Sequence, residues 1–183
     1  MKGYTLSLNY NYKRPVIKLY GIDTLIDTGA VIPVFSIPEE LLKKAFNAKL
    51  VLDNTSIGGF DGKCEGKIYA LESFVIGSTT YSPMEVFVPN EQTLSFPFLL
   101  SSSLFYGTNY HFDTLSNEFV VKMPDNMPFT REFKIKDING TLCAQIDGVL
   151  LQDYEPRVID NYTQTSISSI LELTEKINDI ERE

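Results

Sequence analysis

Apolar and polar side chains alternate along the first part of the chain in the manner of β-strands. Four apolar residues at every second position predict a first strand, namely Tyr4, Leu6, Leu8 and Tyr10. Lys13–Pro15 interrupts this pattern, and Val16–Leu19 resumes it as a second extended run. After Gly21, the run Ile22–Ile26 leads into an acidic loop that begins at Asp27. We therefore predict a hairpin that feeds a third strand ending at Asp27.

One stretch follows helical spacing instead. Val31–Phe35 is apolar and β-branched, as in a buried strand, and the residues after it are typical of a helix start. Ser36 can act as the N-cap, Pro38 suits the first turn, and Glu39 completes a capping box. Apolar residues then recur at helical spacing, at Leu41, Leu42, Ala45 and Phe46. This pattern predicts an amphipathic helix of about three turns that covers the core.

Strands joined by tight turns are predicted for the middle of the chain. Lys49–Ile57 and Lys63–Phe74 form two strand patterns around a glycine-rich tip, Gly58-Gly59-Phe60-Asp61-Gly62. Glycine favours such a tip because it adopts positive φ angles at no steric cost. Further strands are predicted at Met84–Pro89 and at the apolar run Phe96–Leu100. A hairpin that turns at Ser116-Asn117 is predicted within residues 112–121.

The last third of the chain is predicted to be an extension. Pro124–Pro128 breaks the strand pattern, so we place a domain boundary there and divide the chain into residues 1–123 and 124–183. Beyond it, Asn139-Gly140 predicts a tight β-hairpin, and Asp147-Gly148 predicts a second turn. Residues 166–183 then carry one apolar seam at helical spacing, formed by Ile170, Leu173, Ile177 and Ile180. This helix could pack on its own domain or pair with a twin, and its shortness favours the first.

Composition narrows the range of partners and compartments. The 183 residues carry a net charge of −8, which argues against a nucleic-acid partner because such a partner requires a concentrated basic face. No apolar run approaches the roughly 20 residues of a membrane helix, and the N-terminal residues do not resemble a signal peptide. Cys64 and Cys143 lack metal-like spacing, and we expect them to be free thiols. The expected location is therefore the cytoplasm, with no membrane partner.

Most enzyme classes with short signatures are unsupported. The chain has one histidine, His111, and its aromatic surroundings favour a structural role. No P-loop, no dinucleotide-binding glycine pattern and no His/Cys metal cluster occurs, so we expect neither a cofactor nor a metal. The candidate chemistry is thus left to Asp27 and the glycine-rich hairpin.

Asp27 stands where a carboxylate is costly. It follows the apolar residues Leu25 and Ile26 and begins the loop Asp27-Thr28-Gly29-Ala30. A carboxylate at the end of a buried strand needs hydrogen-bond donors, or a second acid with which it can share a proton. Two such carboxyl groups about 3 Å apart cannot both ionise easily, so one of them keeps its proton.

The chain resembles the retropepsin-like aspartic proteases, the family of the retroviral proteases and their bacterial and phage relatives. Over roughly residues 5–122, three features occur in the family's order. They are the Asp27-Thr28-Gly29-Ala30 loop, the hairpin with its glycine-rich tip, and the apolar run Phe98-Leu99-Leu100. The resemblance implies a mostly β fold of the closed-barrel acid protease type over residues 1–123, with one or two short helices.

The resemblance also implies roles for particular residues. Asp27 is expected to be catalytic, Thr28 to brace the loop, and Gly29 and Ala30 to contact substrate. The hairpin tip is expected to be a flap over the substrate, which adds Gly58, Gly59, Phe60, Asp61 and Gly62 to the substrate-binding set. The Asp-Thr pairs at Asp23 and Asp113 lack the glycine, so a dyad requires Asp27 from two chains. We therefore predict a homodimeric endopeptidase whose partners are protein or peptide substrates.

One position departs from the family pattern and leaves alternatives open. The family usually has a glycine after the second apolar run, whereas this chain has Ser101 after Leu100. The added side chain could alter the catalytic loop. A second hypothesis is therefore an inactive dimerisation or peptide-binding module with the same fold. A third is a β-rich ligand-binding domain in which Asp27 is a turn residue.

Overall fold

The computed structural model describes residues 2–9, 13–59, 62–91, 95–151 and 171–179. The described chain is mostly β-structure. Its strands are β1 (Lys2–Ser7), β2 (Val16–Leu19), β3 (Ile22–Asp27), β4 (Val34–Phe35), β5 (Lys49–Gly59), β6 (Gly62–Leu71), β7 (Phe74–Ile76), β8 (Thr79–Pro89), β9 (Phe98–Ser101), β10 (Asn109–Asp113), β11 (Glu118–Met123), β12 (Thr130–Ile138), β13 (Thr141–Ile146) and β14 (Val149–Leu151). Helix α1 spans Glu39–Phe46, a 3₁₀ helix spans Ser102–Phe105, and α2 spans residues 171–179.

The strands form two sheets. The smaller sheet has the order β1-β11-β10. The larger sheet has the order β14-β13-β12-β8-β4-β9-β3-β2, and the β5–β6 hairpin joins it because β6 also pairs with β8. In this order β3 and β9 are parallel, and β9 runs antiparallel to β4. The apolar faces of the sheets and α1 enclose the main core, in which Phe35, Phe74 and Phe98 pack ring against ring.

The predicted closed barrel is not found. In the part of the chain that the structure describes, the larger sheet is an open path that ends at β14 on one side and at β2 on the other. β1, which the sequence placed in a hairpin with the next strand, pairs along its length with β11 instead. The tertiary pairing therefore sets β1 in a separate sheet, and the prediction of a mostly β fold holds without closure.

The predicted helix is present, but its start differs. Helix α1 begins at Glu39 and has eight residues, about two turns, with Pro38 at the N-cap position and no side-chain cap. The capping box of Ser36 and Glu39 was wrong because the Glu39 carboxylate turns to β6. There it accepts hydrogen bonds from Lys67 at 2.9 Å and from Tyr69 at 3.0 Å.

The hairpin after residue 124 belongs to the first compact unit. That unit spans Met1–Leu151, and the second spans Gln152–Glu183. β12, which follows the expected boundary at 123/124, adds to the larger sheet in parallel with β8, and the boundary itself stays a prediction. The predicted turns are confirmed, since Asn139, Gly140, Asp147 and Gly148 all have positive φ angles.

The second unit is described only over residues 171–179, which are helical, as the sequence predicts for that stretch. Ile170 and Ile180 of the predicted seam lie outside the described residues, and what the seam contacts stays a prediction. None of the described helices combines the length and the apolar character that crossing a membrane would require.

Candidate active site

Asp27 is the last residue of β3, at an edge of the larger sheet. Leu25 and Ile26 before it are buried, whereas Asp27 itself is half-buried. β3 lies between β2 and β9, and Asp27 pairs with Ser101 at the end of the parallel strand β9. Because parallel strands end at the same edge of a sheet, the loop after Asp27 and the 3₁₀ helix after Ser101 start side by side. The buried apolar residues thus fix β3 in the core, and the Asp27 side chain lies at the C-terminal end of the strand.

Backbone donors hold the Asp27 loop. The Gly29 N–H donates to Oδ1 of Asp27 at 3.0 Å, and the Ala30 N–H donates to the Asp27 carbonyl at 3.1 Å. The first bond supplies one of the donors that a carboxylate in this position requires. Thr28 and Gly29 are exposed, and Ala30 is half-buried. The loop therefore orients the carboxylate from its own backbone, and Thr28 and Gly29 remain accessible from solvent.

Ser101, which stands where the resembled family has a glycine, fits its site. It is fully buried, and its Oγ lies 2.6 Å from Oγ of Ser103. Ser103 Oγ in turn donates to the carbonyl of Val31 at 2.7 Å. The Ser101 hydroxyl is thus hydrogen-bonded, and it belongs to a connection from β9 to the residues just after the Asp27 loop.

The glycine-rich hairpin projects beyond the sheet. Pairing of β6 with β8 ends at Gly66 opposite Pro89, followed by one bond from the Asn90 N–H to the Glu65 carbonyl. From Thr55 to Gly59, β5 pairs with β6 alone. At about 3.3 Å per residue this arm reaches roughly 15 Å. Within the described residues no third strand pairs with it, and an isolated two-stranded hairpin is only marginally stable.

The predicted tip residues are described in part. Gly58 pairs with Lys63 and Gly59 with Gly62, so Gly58 and Gly59 lie in β5 and Gly62 begins β6. Gly62 has a φ of +101°, a value that favours glycine. Phe60 and Asp61 lie outside the described residues. Among the described hydrogen bonds and ion pairs, none joins this hairpin to the Asp27 loop, and β8, β4 and β9 separate the two in the sheet order.

The base of the arm is fixed to α1. Lys67 forms an ion pair with Glu39 at 2.9 Å, and the Tyr69 hydroxyl bonds the same carboxylate. The hydrogen bond from Lys67 lowers the pKa of Glu39, and the same bond raises the pKa of Lys67. Both side chains are partly exposed, so this contact contributes modest stability. It nevertheless marks where the anchored part of β6 ends and the free arm begins.

The other Asp-Thr pairs lie elsewhere. Asp23 precedes Asp27 by four residues on β3, about 13 Å along the strand. Asp113 ends β10, where the N–H groups of Ser116 and Leu115 bond its carboxylate and lower its pKa. Neither is placed by its strand position beside Asp27. Within the described residues no cluster of three or more His, Cys, Asp or Glu side chains could hold a metal ion.

An open cavity of about 530 Å³ lies at the opposite end of β3 from Asp27. Arg14, Ile22 and Phe96 are among its lining residues. Because the length of β3 lies between this cavity and the Asp27 carboxylate, the cavity does not contribute to the Asp27 site.

Sequence reasoning missed Ser103 and the Val31 carbonyl. The sequence signal that could have pointed to them is the run Ser101-Ser102-Ser103 at the end of a buried strand, where hydroxyls require partners.

Comparison of the chain with models of known protein families found no match. Comparison with curated proteins found none either.

Proposed function

We propose that the protein is an aspartic endopeptidase whose dyad consists of Asp27 from two copies of the chain. The observation that carries this proposal is the half-buried Asp27 at the end of a buried strand, hydrogen-bonded by the Gly29 N–H. An acid held in this way at a solvent-accessible loop is suited to share a proton with a second acid and to act on a water.

The proposed reaction uses the two carboxyl groups in different protonation states. The ionised carboxylate accepts a proton from a water, which attacks the carbonyl carbon of the scissile peptide bond. The protonated carboxyl polarises the carbonyl oxygen and donates its proton to it, giving a tetrahedral diol. Collapse of the diol breaks the C–N bond, and a proton passes to the leaving amine. Both acids take part in the reaction, so activity depends on the pair.

The hairpin arm supports a role in holding substrate. It leaves the sheet at Gly66 and carries the exposed glycines Gly58 and Gly62. An arm of this length can close over a peptide and exclude water from the dyad. The proposed substrate is an extended peptide segment, because exposed strand edges of the arm offer backbone hydrogen bonds to such a chain.

The proposed location is the cytoplasm. Cys64 is an exposed free cysteine, which is compatible with a reducing compartment.

The first test is cleavage of a peptide library by the wild type and by Asp27→Asn. Asparagine retains an Oδ1 acceptor for the Gly29 N–H, so the loop is expected to keep its fold while the acid is lost. We expect cleavage to fall by at least about 10²–10⁴-fold, the usual contribution of an acid–base group. A statine-type transition-state mimic should inhibit the wild type.

Asp113→Asn is the matched control. It is another Asp-Thr at a strand end with backbone N–H donors, and it should keep full activity. Equal cleavage by the wild type and Asp27→Asn would refute the catalytic role. Absence of wild-type cleavage across acidic and neutral pH would favour the alternative of an inactive peptide-binding or dimerisation module.

The second test concerns the shared dyad. When equal amounts of wild type and Asp27→Asn exchange subunits at random, only a quarter of the dimers keep two Asp27 residues. Activity per total dimer should therefore fall to about a quarter of the wild-type value. Sedimentation measures the oligomeric state independently. Peptide cleavage by a monomeric protein would contradict the shared dyad.

A further inference from the structure

Two buried serine hydroxyls connect the end of β9 to the segment that follows Asp27 by hydrogen bonds. Ser101 and Ser103 are both buried, and their Oγ atoms lie 2.6 Å apart. Ser103 Oγ lies 2.7 Å from the carbonyl oxygen of Val31, four residues after Asp27. Ser101 is also the residue that pairs with Asp27 across the parallel strands.

The direction of these hydrogen bonds follows from the number of protons. A serine hydroxyl has one proton to donate, and Ser103 uses its proton on the Val31 carbonyl, which can only accept. Ser101 must therefore donate to Ser103. Each bond polarises the hydroxyl that follows it, so the two bonds strengthen one another in this buried setting.

These contacts hold the Asp27 loop at both ends. At its start, strand pairing sets Asp27 against Ser101. At its end, Ser103 holds Val31. The intervening residues include Gly29 and Ala30, whose N–H groups bond Asp27. Displacement of Val31 would thus move the donor that orients the Asp27 carboxylate.

We propose that Ser103 is a positioning residue for Asp27 and that Ser101 orients it. The proposal rests on the proposed function, because it assigns these hydroxyls to the same acid. The proposal also gives a role to the serine at position 101, where the resembled family has a glycine. The Ser101 hydroxyl supports the Asp27 loop through its hydrogen bond to Ser103. Small misplacements of a catalytic group can cost large factors in rate, which makes a short, buried support of this kind consequential.

The test compares Ser103→Ala with Ser103→Thr and Ser102→Ala. Alanine at 103 removes the donor to Val31 and leaves Ser101 without its acceptor, whereas threonine restores a hydroxyl. Ser102 lies between the two serines and takes part in neither bond, so Ser102→Ala is the matched control. On the library peptide that the wild type cleaves fastest, Ser103→Ala should lower kcat about tenfold. Its KM should stay within about twofold, because the loss concerns the acid and not the substrate contacts.

Ser101→Gly tests the second hydroxyl. If Ser101 orients Ser103, the glycine typical of the resembled family should lower kcat in this chain, by less than Ser103→Ala does. Ser103→Thr should recover most of the wild-type kcat. Thermal unfolding of every variant shows whether a loss of rate merely follows a loss of folded protein.

Amide hydrogen exchange provides a measurement that does not depend on cleavage. Ser103→Ala should speed exchange at the Ala30 and Gly29 amides by about fivefold or more relative to amides of β8, and Ser102→Ala should not. If the wild type cleaves no peptide, the proposed function fails, and this exchange pattern alone decides whether the serines position the loop. Unchanged kcat and unchanged exchange in Ser103→Ala would overturn the proposal. A loss of kcat that threonine leaves uncorrected, in a folded Ser103→Thr protein, would also overturn it.

Discussion

The hairpin arm leaves the sheet at Gly66, and the surroundings of this glycine allow a quantitative prediction. A Cβ atom at Gly66 would lie 2.3 Å from the carbonyl oxygen of Val88 and 2.6 Å from Cζ of Phe87. The first of these atoms belongs to the backbone of β8, and the Phe87 ring is fully buried in the core. Neither can move away without disturbing the sheet, so Gly66→Ala requires β6 to shift from β8.

Overpacking of this kind costs about 1–3 kcal/mol of the free energy of unfolding. Gly58, in the free part of the same hairpin, is the matched control because a Cβ there meets no atom within 4 Å and its φ is not positive. Gly58→Ala should instead stabilise the protein, by about 0.4–1 kcal/mol, since it reduces the freedom of the unfolded chain. The same substitution at two positions of one hairpin is therefore expected to have opposite signs.

Urea denaturation followed by fluorescence measures both free energies, and thermal unfolding provides a check. A loss of about 2 kcal/mol corresponds to a Tm lower by roughly 4–8 °C for a domain of this size. Cleavage by Gly66→Ala should decline as well, because the shift displaces the arm from the position that pairing with β8 gives it.

Equal changes in stability for the two variants would refute the reasoning, since they would show that the two backbone sites are equally accommodating. A Gly66→Ala protein as stable as the wild type would show that β6 does not approach β8 as closely as the pairing indicates.

Two further predictions concern the hairpin that β12 and β13 add to the sheet. Glu85, 7% exposed, accepts the Ile135 N–H at 2.7 Å, and burial raises its pKa against the opposing effects of that bond and of Lys136 and Lys134. The folded protein thus binds this proton more tightly than the unfolded chain, so stability should fall as pH rises from the ordinary glutamate pKa through the raised one. Glu85→Gln should remove that part of the pH dependence and be the more stable protein at neutral pH, and urea midpoints from pH 4 to 8 that overlay the wild type would contradict this. The Asp147 carboxylate accepts a hydrogen bond from the Nε–H of Arg131, which is 4% exposed. Asp147→Asn should cost about 2 kcal/mol of the free energy of unfolding, because it leaves a buried cation without its carboxylate. Asp137 is an exposed residue of β12, and Asp137→Asn should cost under about 0.5 kcal/mol. Equal urea midpoints for these two variants would remove the argument.

Several features of the fold could be predicted because they are local. Alternation of side chains indicated the strands, and Asn139-Gly140 indicated a turn whose positive φ angles the structure confirms. The position of Asp27 after a buried strand was also readable, since two apolar residues followed by an acid and a glycine carry that information within six residues.

Local patterns were misleading where a distant contact competed with them. The capping box at Ser36 and Glu39 is a valid sequence signal, yet Glu39 bonds Lys67 and Tyr69 on β6 instead. The break at Pro124–Pro128 is real in sequence, but the strand after it joins β8 in parallel. The partner of Glu39 is β6 and the partner of β12 is β8. Both are distant in sequence, so local residue spacing does not predict them.

The sequence by itself determined the strands, the turns and an acid at the exit of a buried strand, because alternation, glycine and asparagine act through neighbouring residues. The tertiary structure alone decided that β1 pairs with β11, that the larger sheet stays open, and that Ser103 holds the carbonyl of Val31. These contacts join residues far apart in sequence. They depend on which strand edges and buried hydroxyls the packed core brings together, a choice that no local pattern records.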